Sequence, residues 1–186
     1  MNPVAGHKYR NITISGKYAT GTTTLAKNLV GVLKWKHFNI GELQRRYDRG
    51  HGRNENKQGA LDRPDEHERE MDEMTKKMLA KENHLIYEAW LGGFMAKDIP
   101  GILKILLICS DEAVLIDRVA NRDGVSVEEA KGNIRQREEE NEIKWKKLYG
   151  NYDFWSPKYY DLVIDTYSSG QMETMGKVLD KLNSKK

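Results

Sequence analysis

Residues 9–25 read YRNITISGKYATGTTTL, and this stretch decides the fold. Tyr9–Ser15 reads as a short buried strand. Gly16-Lys17-Tyr18-Ala19-Thr20-Gly21-Thr22-Thr23-Thr24 follows it, and Thr22–Leu33 then carries Leu25, Ala26, Leu29, Val30 and Leu33, the stripe of one buried helix face. A phosphate-binding loop needs a glycine at each end of a four-residue bend, then a helix whose first amides point at the anion. Gly16 and Gly21 have that spacing, and Thr23 stands where a hydroxyl would ligate magnesium. The lysine expected at position 22 is threonine. On pattern alone, the stretch is either a phosphate loop or a glycine-containing strand-to-helix turn in which Thr22 caps the helix. Lys17, on the loop's first variable position, is either a substitute for the missing lysine or a solvated loop residue.

Outward from the loop, His84–Glu88, Leu103–Ser110 and Asp161–Asp165 read as further buried strands, with a weaker fifth at His37–Ile40. Long helix-compatible stretches separate them, so the sheet is expected to be parallel with helical crossovers. Asp65–Lys81 reads as a helix whose Met71, Met74 and Met78 pack inward. Asp111 caps a helix closed at Asp123-Gly124. Ser126 and Glu129 form a capping box for a second helix reaching about Lys147. That helix is mostly polar and is expected to project from the body. Gly50–Gly59 has no apolar periodicity and reads as a flexible loop.

The composition narrows the class. The 186 residues include 31 Lys plus Arg and 28 Asp plus Glu, a net charge of +3, and no apolar run of membrane-spanning length. Collagen-like, disulfide-framed and membrane-spanning classes are excluded. Met1 to Arg10 is short and polar, so no secretory signal is expected. The single Cys109 reads as a buried core thiol in a reducing compartment, and a cytoplasmic location is expected. The charge is too small to argue for nucleic acid, and the basic residues Lys177, Lys181, Lys185 and Lys186 read as a solvated tail.

The chain resembles the cytidylate kinases, most closely their compact archaeal branch, over about residues 10–168. The resemblance rests on several motifs in order: Gly21-Thr22-Thr23-Thr24, Gly41-Glu42-Leu43 with Arg45, the strand end at Glu88, Asp117 to Glu138, and Tyr160 to Thr166. It implies a P-loop α/β fold, a five-stranded parallel sheet flanked by helices, with an acceptor lobe at about 42–82 and a lid at about 117–147. The implied activity moves the γ-phosphate of ATP, with Mg2+, onto CMP or dCMP. Residues 16–24 would hold ATP, and Thr23 and Glu88 the metal. Arg118, Arg122 and Arg137 would cover the donor and its phosphates, and Arg45 and Glu42 would belong to the acceptor site. Arginine suits such roles because its planar fork binds phosphate oxygens bidentately and stays charged. Thr166–Ser169 would border the adenine. The expected partners are small nucleotides, with the protein a monomer or weak dimer.

The sequence also departs from that pattern. Glu88-Ala89-Trp90 stands where the family has an acidic residue, glycine and arginine. Asn141 and Lys144 replace an acidic residue and an arginine near the end of the lid, and Lys17-Tyr18-Ala19 replaces small residues and proline. Either the acceptor is still CMP, with Arg45, Arg46 and Lys144 compensating, or it is another metabolite that meets the flat face of Trp90, or Trp90 is ordinary packing. A nucleotide-binding regulator that has lost transfer is the non-enzyme alternative.

Overall fold

A computed structural model describes residues 8–184. Lys185, Lys186 and Met1–His7 lie outside the described residues. Five strands, β1 (Asn11–Gly16), β2 (Lys36–Asn39), β3 (Leu85–Glu88), β4 (Ile102–Ile108) and β5 (Leu162–Asp165), form one parallel sheet in the order β2-β3-β1-β4-β5. The expected sheet is thus present, including its weak fifth strand. Parallel pairing requires crossovers, and helices supply them. These are α1 (Thr22–Leu33), α2 (Ile40–Gly50), α3 (Asp65–Lys81), α4 (Gly92–Met95), α5 (Glu112–Asp123), α6 (Val127–Tyr149) and α7 (Gln171–Asn183).

The alternation of β1 divides the core. Ile12 and Ile14 join Leu25, Ala26 and Leu29 of α1 and Val178 and Leu182 of α7 on one face. The other face of β1 is small and polar: Asn11, Thr13 and Ser15 are all buried. Asn11 bridges the carbonyls of Leu79 and Glu82 and the amide of Leu85, tying the end of α3 to β3. Ser15 accepts from the amide of Gly93, so α4 lies directly against the sheet. There a Cβ on Gly93 would stand 2.3 Å from the Tyr160 ring. Tyr160 is itself buried and fixed by its hydroxyl bond to the Phe154 carbonyl at 2.9 Å. Gly93→Ala is therefore expected to destabilise the fold by about 1–3 kcal/mol, read as a lowered thermal midpoint.

Three expectations are corrected. α6 does not project. Its residues Ala130, Asn133, Arg137, Asn141 and Lys144 recur at helical spacing and are buried, so the inward stripe is largely polar. Hydrophobicity cannot reveal such a face, because hydrogen bonds to a facing segment replace apolar contact. That segment is the supposedly flexible loop. Gly59 and Ala60 donate amides to Glu140 and Asn141, and a Cβ on Gly59 would meet the Arg137 carbonyl at 2.7 Å. Cys109 is only half-buried, since β4 ends one residue before it, and its thiol reaches the Asp111 carbonyl. The two caps hold: Asp111 accepts from the Val114 amide and Ser126 from the Glu129 amide, with Gly124 in the left-handed region (φ 66°) closing α5.

Candidate active site

The C-terminal ends of β1 and β3 open into a cleft of about 660 Å³ lined by residues 16–25, Asn39, Gly41, Arg45, Glu88, Trp90, Arg118, Arg122, Arg137, Thr166 and Ser169. Gly21 takes φ 95° at the start of α1, a conformation that suits glycine, and its carbonyl accepts the first helical bond from Leu25. Thr22 is not the helix cap. Its hydroxyl turns to Glu88 Oε1 at 3.0 Å, beside that of Thr23 at 2.5 Å. The other carboxylate oxygen accepts from Asn39 Nδ2 at 2.8 Å and meets His37 Nε2 at 3.1 Å. Burial pushes the Glu88 carboxyl upward, but the bonds from His37, Thr23 and Thr22 outweigh it and hold the group below the ordinary glutamate range. The result is an ionised, fixed carboxylate beside a threonine hydroxyl. That donor set fits magnesium, a hard cation that takes one or two protein oxygens and completes its shell with water and phosphate.

The arginines come from the opposite wall. Arg118 donates to the Ala19 carbonyl at 3.2 Å and to Thr166 Oγ1 and the Thr166 carbonyl at 3.1 and 3.0 Å, joining the loop to the end of β5. Arg122 pairs with Asp123 and donates to the Tyr18 hydroxyl. Arg137 differs from both. It is 6% exposed, has no ion-pair partner among the described residues, and donates from one terminal nitrogen to the Glu55 carbonyl. Its Nε is buried without a hydrogen-bond partner among the described residues. Burial lowers its pKa from the ordinary arginine value, the mark of a cation with insufficient compensation.

A second, smaller cavity of about 80 Å³ lies between α2, α3 and α6 and shares Gly41, Ala89, Trp90 and Arg137 with the cleft. Trp90 forms their common wall, stacked at 6.3 Å on Tyr18 and edge-on at 5.7 Å to Trp145. Gln44, Arg63, Glu68, Asp72 and Tyr149 supply the polar groups of this cavity. Arg63 is spent on Asp48 and Glu68 in a buried triad. Burial pushes the Asp72 carboxyl up to about 6, although it accepts from the Tyr149 hydroxyl.

Not every expected residue reaches the cleft. Arg45 does, held by Glu42 at 2.9 Å, but Glu42 does not line it and divides itself between Arg45 and Arg49. Lys17 lines the cleft, yet its ammonium is engaged by Glu138 at 3.0 Å and lies over the Trp155 ring. Asn141 lines the second cavity. Lys144 lines neither cavity and is committed to Asp65 and the Arg63 carbonyl. Arg46 is exposed, away from both. His37 and Asn39 were absent from the expected set. Their i, i+2 spacing puts both on one face of β2, and the register opposes Asn39 to Glu88.

Similarity to known proteins agrees with this geometry. The profile of the cytidylate kinase-like family matches residues 11–168. A cytidylate kinase of Pyrococcus abyssi is 38% identical over 156 residues, covering 83% of each chain. One from Methanothrix thermoacetophila is 37% identical over 155 residues, covering 83% of this chain and 87% of its own. Among solved structures, a gluconokinase from Sinorhizobium meliloti superposes with a TM-score of 0.61 at 12% identity, covering 95% of this chain and 93% of its own. A shikimate kinase from Acinetobacter baumannii gives 0.56 at 14% identity, covering 93% and 92%. These two likenesses show the fold alone, a parallel α/β sheet with a phosphate loop after its first strand. Loop, strand-end carboxylate and sequence kinship converge: the chain belongs to the cytidylate kinase-like family.

Proposed function

We propose that the protein transfers the γ-phosphoryl group of ATP to a nucleoside monophosphate, CMP or dCMP. The observation that carries this reading is Arg137, a buried guanidinium without a counter-charge among the described residues, at the junction of two adjoining cavities. A buried cation is costly unless an anion pairs with it, and its place between the cavities suits a phosphoryl group passing from one to the other.

In this reading the loop amides of residues 16–24 and the N-terminus of α1 cradle the donor phosphates. Thr23 and Glu88 would hold magnesium, which when bound neutralises phosphate charge. Arg118 would flank the donor's base end together with Thr166. Arg45 would meet the acceptor phosphate, and Arg122 and Arg137 the transferred group. No side chain need act as a strong base, because the acceptor phosphate oxygen is already anionic at neutral pH. What the residues supply is alignment and charge. Residues 42–82 would form the acceptor lobe and 117–147 the lid, whose closure excludes water.

The second cavity supports an amino-bearing base. Glu68 and Asp72 present acceptors, which suit the exocyclic amine of cytosine and oppose the carbonyl of uracil. Trp90 and Trp145 offer flat apolar walls. ADP formation measured with Mg-ATP and a panel of monophosphates tests the reading. CMP or dCMP is expected to give kcat/KM at least about 100-fold above UMP, and Asp72→Asn to narrow that gap. Equal turnover of UMP and CMP would overturn the base assignment, and turnover of no monophosphate would overturn the whole reading.

A further inference from the structure

From the phosphate loop, Tyr18 touches both helices of the arginine wall. The Arg122 guanidinium carbon lies 4.6 Å from its ring centroid and that of Arg137 lies 5.0 Å away. Its hydroxyl accepts from Arg122 at 2.5 Å and donates to the Asn56 carbonyl at 3.2 Å. Trp90 stacks on the ring, and Val119 of α5 and Ala130 of α6 pack around it. Thus the side chain is buried at the meeting point of the loop, α5, α6 and the 51–60 segment.

An arginine can be held by a carboxylate, but the ion pair then consumes its charge and its donors. An aromatic face holds the cation through the ring quadrupole and leaves the charge uncancelled. This distinction matters for Arg137, which has no carboxylate partner among the described residues and keeps a free Nε. The loop carries threonine at position 22 and its Lys17 is engaged by Glu138, so in the proposed reading the cations that meet the transferred group come from α5 and α6. Arg118 on the Ala19 carbonyl and Lys17 on Glu138 each tie one of those helices to the loop, and Tyr18 meets both.

We propose that Tyr18 is a positioning residue for phosphoryl transfer: an aromatic seat, built into the phosphate loop, that aligns Arg122, already paired with Asp123, and holds Arg137 without neutralising it. The proposal rests on the reading that these two arginines meet the transferred group. Tyr18 touches no reacting atom and acts only through them. Its hydroxyl sets Arg122, while its ring sets both.

Steady-state kinetics with Mg-ATP and CMP test this, using Tyr18→Phe, Tyr18→Leu and an Arg122→Ala/Arg137→Met pair. The phenylalanine variant keeps the seat and is expected to keep kcat within about fivefold. The leucine variant keeps the apolar packing but loses the seat. Its kcat is expected to fall about 10- to 100-fold while the KM for ATP moves less than about threefold. Added to the arginine pair, Tyr18→Leu is expected to change kcat less than about twofold, since a residue that acts through others has nothing left to position. Tyr18→Met makes the same comparison should the leucine variant not fold. An undiminished leucine effect in the arginine-pair background would overturn the proposal, as would wild-type kcat in the leucine variant or an effect confined to the KM for ATP. Wild-type turnover by the arginine pair itself is a different result, and it would overturn the phosphate role of the arginines whatever Tyr18 does.

Discussion

Arg137→Met is expected to cut kcat by roughly a thousandfold while raising the thermal midpoint by about 2–4 °C. The two signs come from one cause. The guanidinium is desolvated, its Nε is unpartnered, and no carboxylate among the described residues compensates it, so in the resting fold it is a net cost. Methionine has similar reach and no charge to desolvate, and it can fill the space between Tyr18 and Trp90. What disappears is a cation already fixed where negative charge spreads over the transferred phosphoryl group, and preorganisation of that kind dominates such reactions. Kinetics and thermal unfolding of the same preparation decide the matter. A lowered midpoint with retained turnover would make Arg137 a structural residue.

The second large effect is expected at Glu88. Glu88→Gln should lower kcat/KM about 100-fold or more and raise the magnesium concentration needed for half-maximal rate, because the amide cannot supply the anionic oxygen that the hard cation prefers. Glu88→Ala should lose as much activity and also about 1–3 kcal/mol of stability. Four groups, from Thr22, Thr23, His37 and Asn39, would then be left without their shared acceptor. Magnesium titration of rate, paired with unfolding of both variants, separates the two contributions. An unchanged magnesium requirement in Glu88→Gln would remove Glu88 from the metal site.

Where burial is apolar, the fold is legible in the sequence. Thr22–Leu33 begins and ends where its apolar periodicity places it; Asp65–Lys81 has the expected bounds, but Met71, Met74 and Met78 are only half-buried and its buried residues are Glu68, Thr75 and Leu79. Four of the five strands stand out by their Ile, Leu and Val, while β2, Lys-His-Phe-Asn, does not. α2 is silent because its buried residue is Asp48, neutralised by Arg53 and Arg63, and an ion-paired charge carries no hydrophobic signal. α7 does carry one, Thr174, Val178 and Leu182 at steps of four, which the lysines at 177 and 181 make easy to read as a tail. For the site, the spacing of Gly16–Thr24 narrows the stretch to a phosphate loop or a capped turn, and the family resemblance supplies the expected roles of that loop and of Glu88. The grouping of Tyr18, Trp90, Arg122 and Arg137 is not legible, since it joins four segments that only the fold brings together. Nor does sequence reveal that Lys144 spends its charge on Asp65 and a carbonyl, well away from the cleft.

The polar inner face of α6 has a thermal consequence. Its contacts with residues 55–65 are largely hydrogen bonds and ion pairs: Arg137 on the Glu55 carbonyl, Glu140 on the Gly59 amide, Asn141 on the Ala60 amide, Lys144 on Asp65. Parting the helix from that segment would trade these for bonds to water and expose little hydrocarbon. The heat-capacity change that makes apolar association temperature-dependent would therefore be small. The sheet core, with Ile12, Ile14, Leu29 and Val178 fully enclosed, has the opposite character. Warming would change the stability of the body along a curve, whereas the free energy of parting the helix would follow a nearly straight line.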